Sequence, residues 1–267
     1  MSYFDAIILG IIQGITEFLP ISSTGHLILI REFFNIDFTN SLAIDATLHF
    51  ATALAVILYF REDIVRLLKS LLFFVQRKPV DKDDSVLILA ILIGTIPAVF
   101  LGLLLESSIE SVFRTPERVA WVLIIGSVLF VIAEKVHAHF LLKTDVSVKR
   151  GLIIGLFQAL ALFPGMSRSG ATISGGMLLG LSREGAARFA FLLSIPIILG
   201  AGSKKMLELG TLNLPLNEWF VILIACVTAF VFGIFSIHYL LKFLRKYSLM
   251  PFVYYRVALA LIVFLFI

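Results

Sequence analysis

The apolar residues of this 267-residue chain come in runs as long as a bilayer is thick, and that constrains its fold more than any other feature. About 20 residues of helix cross the hydrocarbon layer, and six stretches read as spans: 42–60, 85–105, 119–134, 186–203, 219–241 and 249–267. With 60% hydrophobic and only 15% charged residues, against about 25% charged in soluble domains, the surplus has no soluble core to fill. The expected fold is an all-α polytopic membrane protein embedded in the lipid bilayer. The net charge of +4 sits in loops between apolar runs, which indicates membrane topology and no nucleic-acid partner. The single cysteine, Cys226, lies inside an apolar run and reads as a small buried hydrophobe.

Two further apolar stretches are interrupted. Residues 6–30 are broken by Pro20, Ser22, Ser23, Thr24 and Gly25, and residues 151–181 by Pro164, Gly165, Ser167, Arg168, Ser169 and Gly170. Irregular backbone at membrane depth is tolerated where protein or a polar cavity surrounds it, so both read as re-entrant helical hairpins with polar tips. A shift of 145 residues lays GIIQGITEFLPISSTG over GLFQALALFPGMSRSG. Gly10/Gly155, Gln13/Gln158, Phe18/Phe163, Ser22/Ser167 and Gly25/Gly170 then coincide. Each half, about 1–145 and 146–267, holds one hairpin and three spans, and an odd number of crossings turns the second half over. This is an inverted repeat, a plan whose site lies near the midplane.

Loop charge sets the orientation. Fifteen Lys and Arg residues fall on one side, in 61–82, 135–150 (Lys143 among them), 183–188 and 242–246. The other side carries Arg31, Arg114, Arg118, Lys204 and Lys205. The positive-inside rule makes the first side cytoplasmic, with both termini outside. Segment 64–76, with Arg66 and Lys69 among Leu and Phe, is expected to be a cytoplasmic interfacial helix.

Few ionisable residues remain at depth: Glu17, His26, Asp45, His49, Arg168 and Arg256. Each costs about 2.5–3.5 kcal/mol at a helix centre, which calls for a function or a partner. The tips present Ser22, Ser23, Thr24, Ser167, Ser169 and Thr172 together with free N–H groups at helix starts, a setting that favours phosphate. Arg168 adds a bidentate charge. Glu17, Ser23 and His26, within ten residues, supply a base, a nucleophile and a proton donor. Ser23, His26 and a Glu17-activated water all remain open as the nucleophile. Asp45 and His49, four apart, share one helix face. They could line the site, hold a divalent cation with the ligand, or form a packed pair. Arg256 lies one turn past Pro251 and is expected to snorkel toward the cytoplasmic surface. A transporter or flippase of a phosphorylated prenyl lipid shares the inverted-repeat plan but has no use for a nucleophile beside a base.

At these residues the chain resembles the undecaprenyl-diphosphate phosphatase family, associated with bacitracin resistance. QGITEFLPISSTGHL (13–27) looks like its first signature and PGMSRSGATISGG (164–176) like its second; IGTIPA (93–98) and PFVYYR (251–256) also fit. The resemblance implies hydrolysis of undecaprenyl diphosphate to undecaprenyl phosphate and inorganic phosphate, in a bacterial inner membrane, with a pocket open to the outer face. It implies catalytic roles for Glu17, Ser23, His26 and Arg168, a divalent cation (Mg2+ or Ca2+) near Glu17, competition by bacitracin for the substrate, and a homodimer. The first signature begins with Glu or Gln in the family; here it is Gln13, so acid–base work concentrates on Glu17 and Gln13 is left to bind substrate.

Overall fold

The computed structural model describes residues 2–34, 41–139, 145–211 and 214–266; Lys143 and the expected last span's final residue, Ile267, lie outside them. The described residues form eleven α-helices and a short 3-10 turn. In chain order they are α1 (Tyr3–Thr16), α2 (Ser23–Phe34), α3 (Ser41–Tyr59), α4 (Arg61–Val75), α5 (Lys82–Phe113), α6 (Pro116–His137), α7 (Val148–Ala159), the turn Leu160–Leu162, α8 (Arg168–Leu178), α9 (Arg183–Gly210), α10 (Leu216–Leu244) and α11 (Met250–Phe266). Polar side chains start many of them. Asp81 accepts from the N–H groups of Asp83 and Asp84 before α5, and Ser182 from Gly185 N at 3.0 Å before α9, satisfying donors that have no intrahelical partner.

Among the described residues four helices are long and apolar enough to cross a membrane: Lys82–Leu105, Pro116–His137, Arg183–Gly210 and Leu216–Leu244. A fifth candidate is the bent pair Ile44–Tyr59 and Arg61–Val75. Two of the six expected spans, 42–60 and 249–267, are not among those four. α3 ends at Tyr59, where the first of these was expected to end, and the chain turns by 83° into α4. α11 has 17 residues, about 25 Å of helix at 1.5 Å per residue. The outward faces are apolar: Trp121, Ile125, Val128 and Ile132 on α6, and Phe220, Leu223, Val227, Val231 and Phe235 on α10, are all exposed. Their three-and-four spacing marks the stripe that a soluble helix would keep polar. α4 begins three residues before the expected interfacial helix and exposes Val65, Leu68, Leu72 and Phe74 beside Arg61 and Arg66.

The interrupted stretches each form two short helices, α1 with α2 and α7 with α8, packed on each other. With 14, 12, 12 and 11 residues, none reaches the ~30 Å of hydrocarbon alone. α1 packs most extensively on α10, and α7 on α5, so each broken element leans on a helix from the far half of the chain. α3 pairs with α9 and α6 with α11. Missing side chains permit the closest of these approaches: a Cβ on Gly151 would meet Ala90 O at 2.6 Å, and one on Gly14 would meet Ala229 O at 2.6 Å.

Candidate active site

The two interruptions share a local device. Ser22 and Ser167, matched in the repeat, both adopt positive φ, 75° and 71°. Each then accepts from the N–H three residues on: Ser22 Oγ from Gly25 N at 3.3 Å, Ser167 Oγ from Gly170 N at 3.2 Å. A left-handed serine costs about 1–3 kcal/mol and persists only where its surroundings over-determine it. Contacts across the tips do so here. Gly165 N donates to Ser22 Oγ at 3.2 Å, and Ser169 Oγ donates to Leu19 O at 3.2 Å.

Beneath the tips sits Glu17, its side chain 1% exposed. Arg168, at the start of α8, forms an ion pair with Glu17 Oε1. Around Oε2 gather Ser23 Oγ at 2.6 Å, Gln13 Nε2 at 2.9 Å and His49 Nδ1 at 2.8 Å. One buried carboxylate thus joins α1, α2, α3 and α8, and it accepts the hydrogen of a serine hydroxyl that opens a helix. A buried carboxylate is tolerated when charge and hydrogen bonds compensate its desolvation. The geometry suits deprotonation of Ser23 beside a cation that can hold phosphate oxygens.

A cavity of about 500 Å³ opens above this cluster. Glu17, Ser22, Ser23, Thr24, Ser167 and Arg168 form its polar end; Ala98, Val99, Gly102, Leu103, Leu162 and Pro196–Ile198 form apolar walls. Asp45, Arg114 and Lys204 also line it. Asp45 pairs with Arg31 at 2.6 Å and Arg114 at 3.3 Å, whereas His49 turns to Glu17, so the two residues on one face serve different partners.

Four expected site residues stand apart from the cavity wall: Gln13 and Ser169, engaged as above, and His26 and Thr172. His26 Nδ1 lies 2.7 Å from Ser22 O, which can only accept, so that nitrogen carries the proton; Nε2 meets Tyr255 Oη at 2.7 Å. The ring thereby braces the Ser22 turn. Thr172 Oγ1 donates to Arg168 O at 2.7 Å and steadies the first turn of α8. Arg256 corrects an expectation outright. It does not snorkel: it is fully buried and donates to Leu123 O, Ser127 Oγ, Met166 O, Gly165 O and, at 3.5 Å, Pro20 O. Its guanidinium lies 4.7 Å over the Phe130 ring and has no ion pair among the described residues. Two carbonyls from the second tip and one from the first converge on it. Its position in an ionisable-poor apolar stretch was visible in the sequence, but its direction was not.

Among the described residues no group of three or more His, Cys, Asp or Glu side chains is disposed to hold a metal. The oxygens of Glu17 and Asp45 are already engaged by donors and cations. These residues do not fit a resident divalent cation held by protein alone.

The profile of the bacitracin resistance protein BacA family matches residues 6–262. The chain belongs to that family. Members named undecaprenyl-diphosphatase are similar along their length. The protein of Pelobacter propionicus is 40% identical over 96% of this chain and 94% of its own. That of Geotalea daltonii is 40% identical over 100% and 99%, and that of Myxococcus xanthus 41% identical over 98% and 88%. Family membership and the long apolar helices together make this a multi-pass membrane protein.

Proposed function

We propose that the chain hydrolyses undecaprenyl diphosphate to undecaprenyl phosphate and inorganic phosphate, as the names of its relatives indicate for them. The observation that carries this reading is the 2.6 Å bond from Ser23 Oγ to a carboxylate paired with Arg168. The diphosphate enters the cavity with its terminal phosphate between the tips, near Arg168, Ser167, Ser169 and Thr24 and the N–H groups that open α2 and α8. Glu17 takes the Ser23 proton, Ser23 Oγ bonds to the terminal phosphorus, and the bond to the bridging oxygen breaks. Glu17 passes that proton to the departing bridging oxygen as undecaprenyl phosphate leaves. Ionised again, Glu17 takes a proton from a water that attacks the phosphoserine phosphorus and gives it to Ser23 Oγ as the serine–phosphorus bond breaks and inorganic phosphate is released. Positioning and charge supply most of the acceleration, as in phosphoryl transfer generally. Gln13 and His49 hold Glu17, and His26, Ser22 and Thr172 hold the tips. A divalent cation, Mg2+ or Ca2+, would enter only as a companion of the diphosphate, offsetting its charge, since the Glu17 oxygens are already engaged.

The same reading makes the two broken elements re-entrant hairpins of an inverted repeat with six spans in all, supported by the paired left-handed serines and the exchanged packing of α1 and α7. It places the protein in the inner membrane with both termini outside and the cavity open to the outer face. Arg114 and Lys204 at the cavity belong to the sparsely charged side, and Phe18, Phe60 and Phe191 pack together in the core. It also takes in a homodimer and competition by bacitracin for the lipid diphosphate. The transporter reading is not favoured: it leaves the Glu17–Ser23 bond without a use.

The test is phosphate release from undecaprenyl diphosphate by purified protein in detergent, beside Glu17→Ala and Arg168→Ala. Release abolished by both substitutions supports a site shared by the two tips. No release by folded wild-type protein overturns the reading.

A further inference from the structure

Gln158, on α7, is 2% exposed and lines the cavity, yet neither its amide oxygen nor its amide nitrogen has a partner among the described residues. Its match in the repeat, Gln13, spends its Nε2 on Glu17. The second tip offers no such carboxylate: the position corresponding to Glu17, 145 residues on, is Leu162. A buried amide with nothing to bond is costly, and native structures rarely leave one aimed into a cavity unless something arrives there.

Helix register shows where the amide stands. Gly151 abuts Ala90 and Gly155 abuts Gly94, so α5 and α7 run parallel and one further turn brings Gln158 level with Ala98. Ala98 and Val99 belong to the apolar wall of the cavity. The amide is thus a polar group beside the wall that suits a prenyl chain, on a different helix from Ser23 and Arg168, which face the reacting phosphate. We infer that Gln158 is a substrate-binding residue whose amide N–H donates to an oxygen of the phosphate that stays on the lipid. It would position the diphosphate lengthwise, with the terminal phosphorus presented to Ser23. This rests on the phosphatase reading.

The test uses full-length protein in detergent and the variants Gln158→Met, close in shape but without the amide, and Gln158→Glu, which sets a negative charge against the phosphate. KM and kcat for undecaprenyl diphosphate are measured with inhibition by undecaprenyl phosphate, inhibition by inorganic phosphate, and Tm. A lost hydrogen bond to a charged group predicts a KM about tenfold higher for Gln158→Met. Inhibition by undecaprenyl phosphate weakens in parallel, inhibition by inorganic phosphate is unchanged, and Tm is no lower. Gln158→Glu is worse on both lipid readouts. If Gln158→Met does not fold, Gln158→Asn, which draws the amide back by one methylene, is expected to raise KM in the same way. KM and lipid-phosphate inhibition within twofold of wild type, with Tm raised, overturn the proposal: the amide then holds only water. Weakened inhibition by inorganic phosphate alone also overturns it. A wild-type protein that releases no phosphate defeats the phosphatase reading instead, and direct binding of undecaprenyl phosphate to the variants then decides Gln158.

Discussion

At the scale of single residues, the molecule concentrates its polar investment on two charges with opposite environments. Glu17 is surrounded by donors from four helices, one of them a guanidinium. Glu17→Gln keeps the shape and removes both the base and the ion pair. Phosphate release is expected to fall by about 10²–10⁴-fold with the protein still folded, checked by turnover beside a thermal melt. Arg256 is the reverse case, a guanidinium answered by backbone carbonyls from both tips and from α6. A lysine has three donors radiating from a point and cannot reproduce that planar fan. Arg256→Lys is therefore expected to destabilise by about 2–4 kcal/mol, read as a lowered Tm, and to slow phosphate release by loosening both tips. A variant with wild-type Tm would show that the carbonyls find other donors.

At the scale of elements, the broken helices depend on close contact with long ones. In the α5–α7 pair the backbones approach so nearly that a side chain at Gly155 would strike Gly94. Gly155→Val is expected to cost about 3 kcal/mol or to prevent folding, seen as a lower yield of monodisperse protein and a lower Tm. Such elements were legible in the residues. Interruptions at Pro20 and Pro164 amid apolar sequence announced half-helices, and the matched Ser22 and Ser167 turned out to share a φ as well as a letter. The corner at Phe60 was legible as well: the span 42–60 ends there, and Arg61, Glu62 and Asp63 separate it from the helix expected at 64–76, though not the 83° angle between the two. Side-chain direction was hardest. Asp45 and His49 share a face by spacing, but whether each meets an arginine or a carboxylate depends on α2, the end of α5 and α1, which spacing cannot convey. His26 likewise sits within the signature but leans on Tyr255, 229 residues away.

At the scale of the whole molecule, the cavity joins a polar end to apolar walls. Carboxylates that are already satisfied leave a cation no protein-built seat, so it should come and go with the diphosphate. EDTA is then expected to suppress phosphate release reversibly while leaving the Tm of substrate-free protein unchanged. A chelator that lowers that Tm would reveal a resident metal instead. The exchanged packing of α1 on α10 and α7 on α5 bears on how the chain is made. A ribosome delivers the first tip long before the helix that will cover it, and Glu17 waits 151 residues for its arginine. Until then the nascent chain can answer that acid only with Gln13, Ser23 and His49, so a chain cut short after its first half would keep Glu17 without its guanidinium.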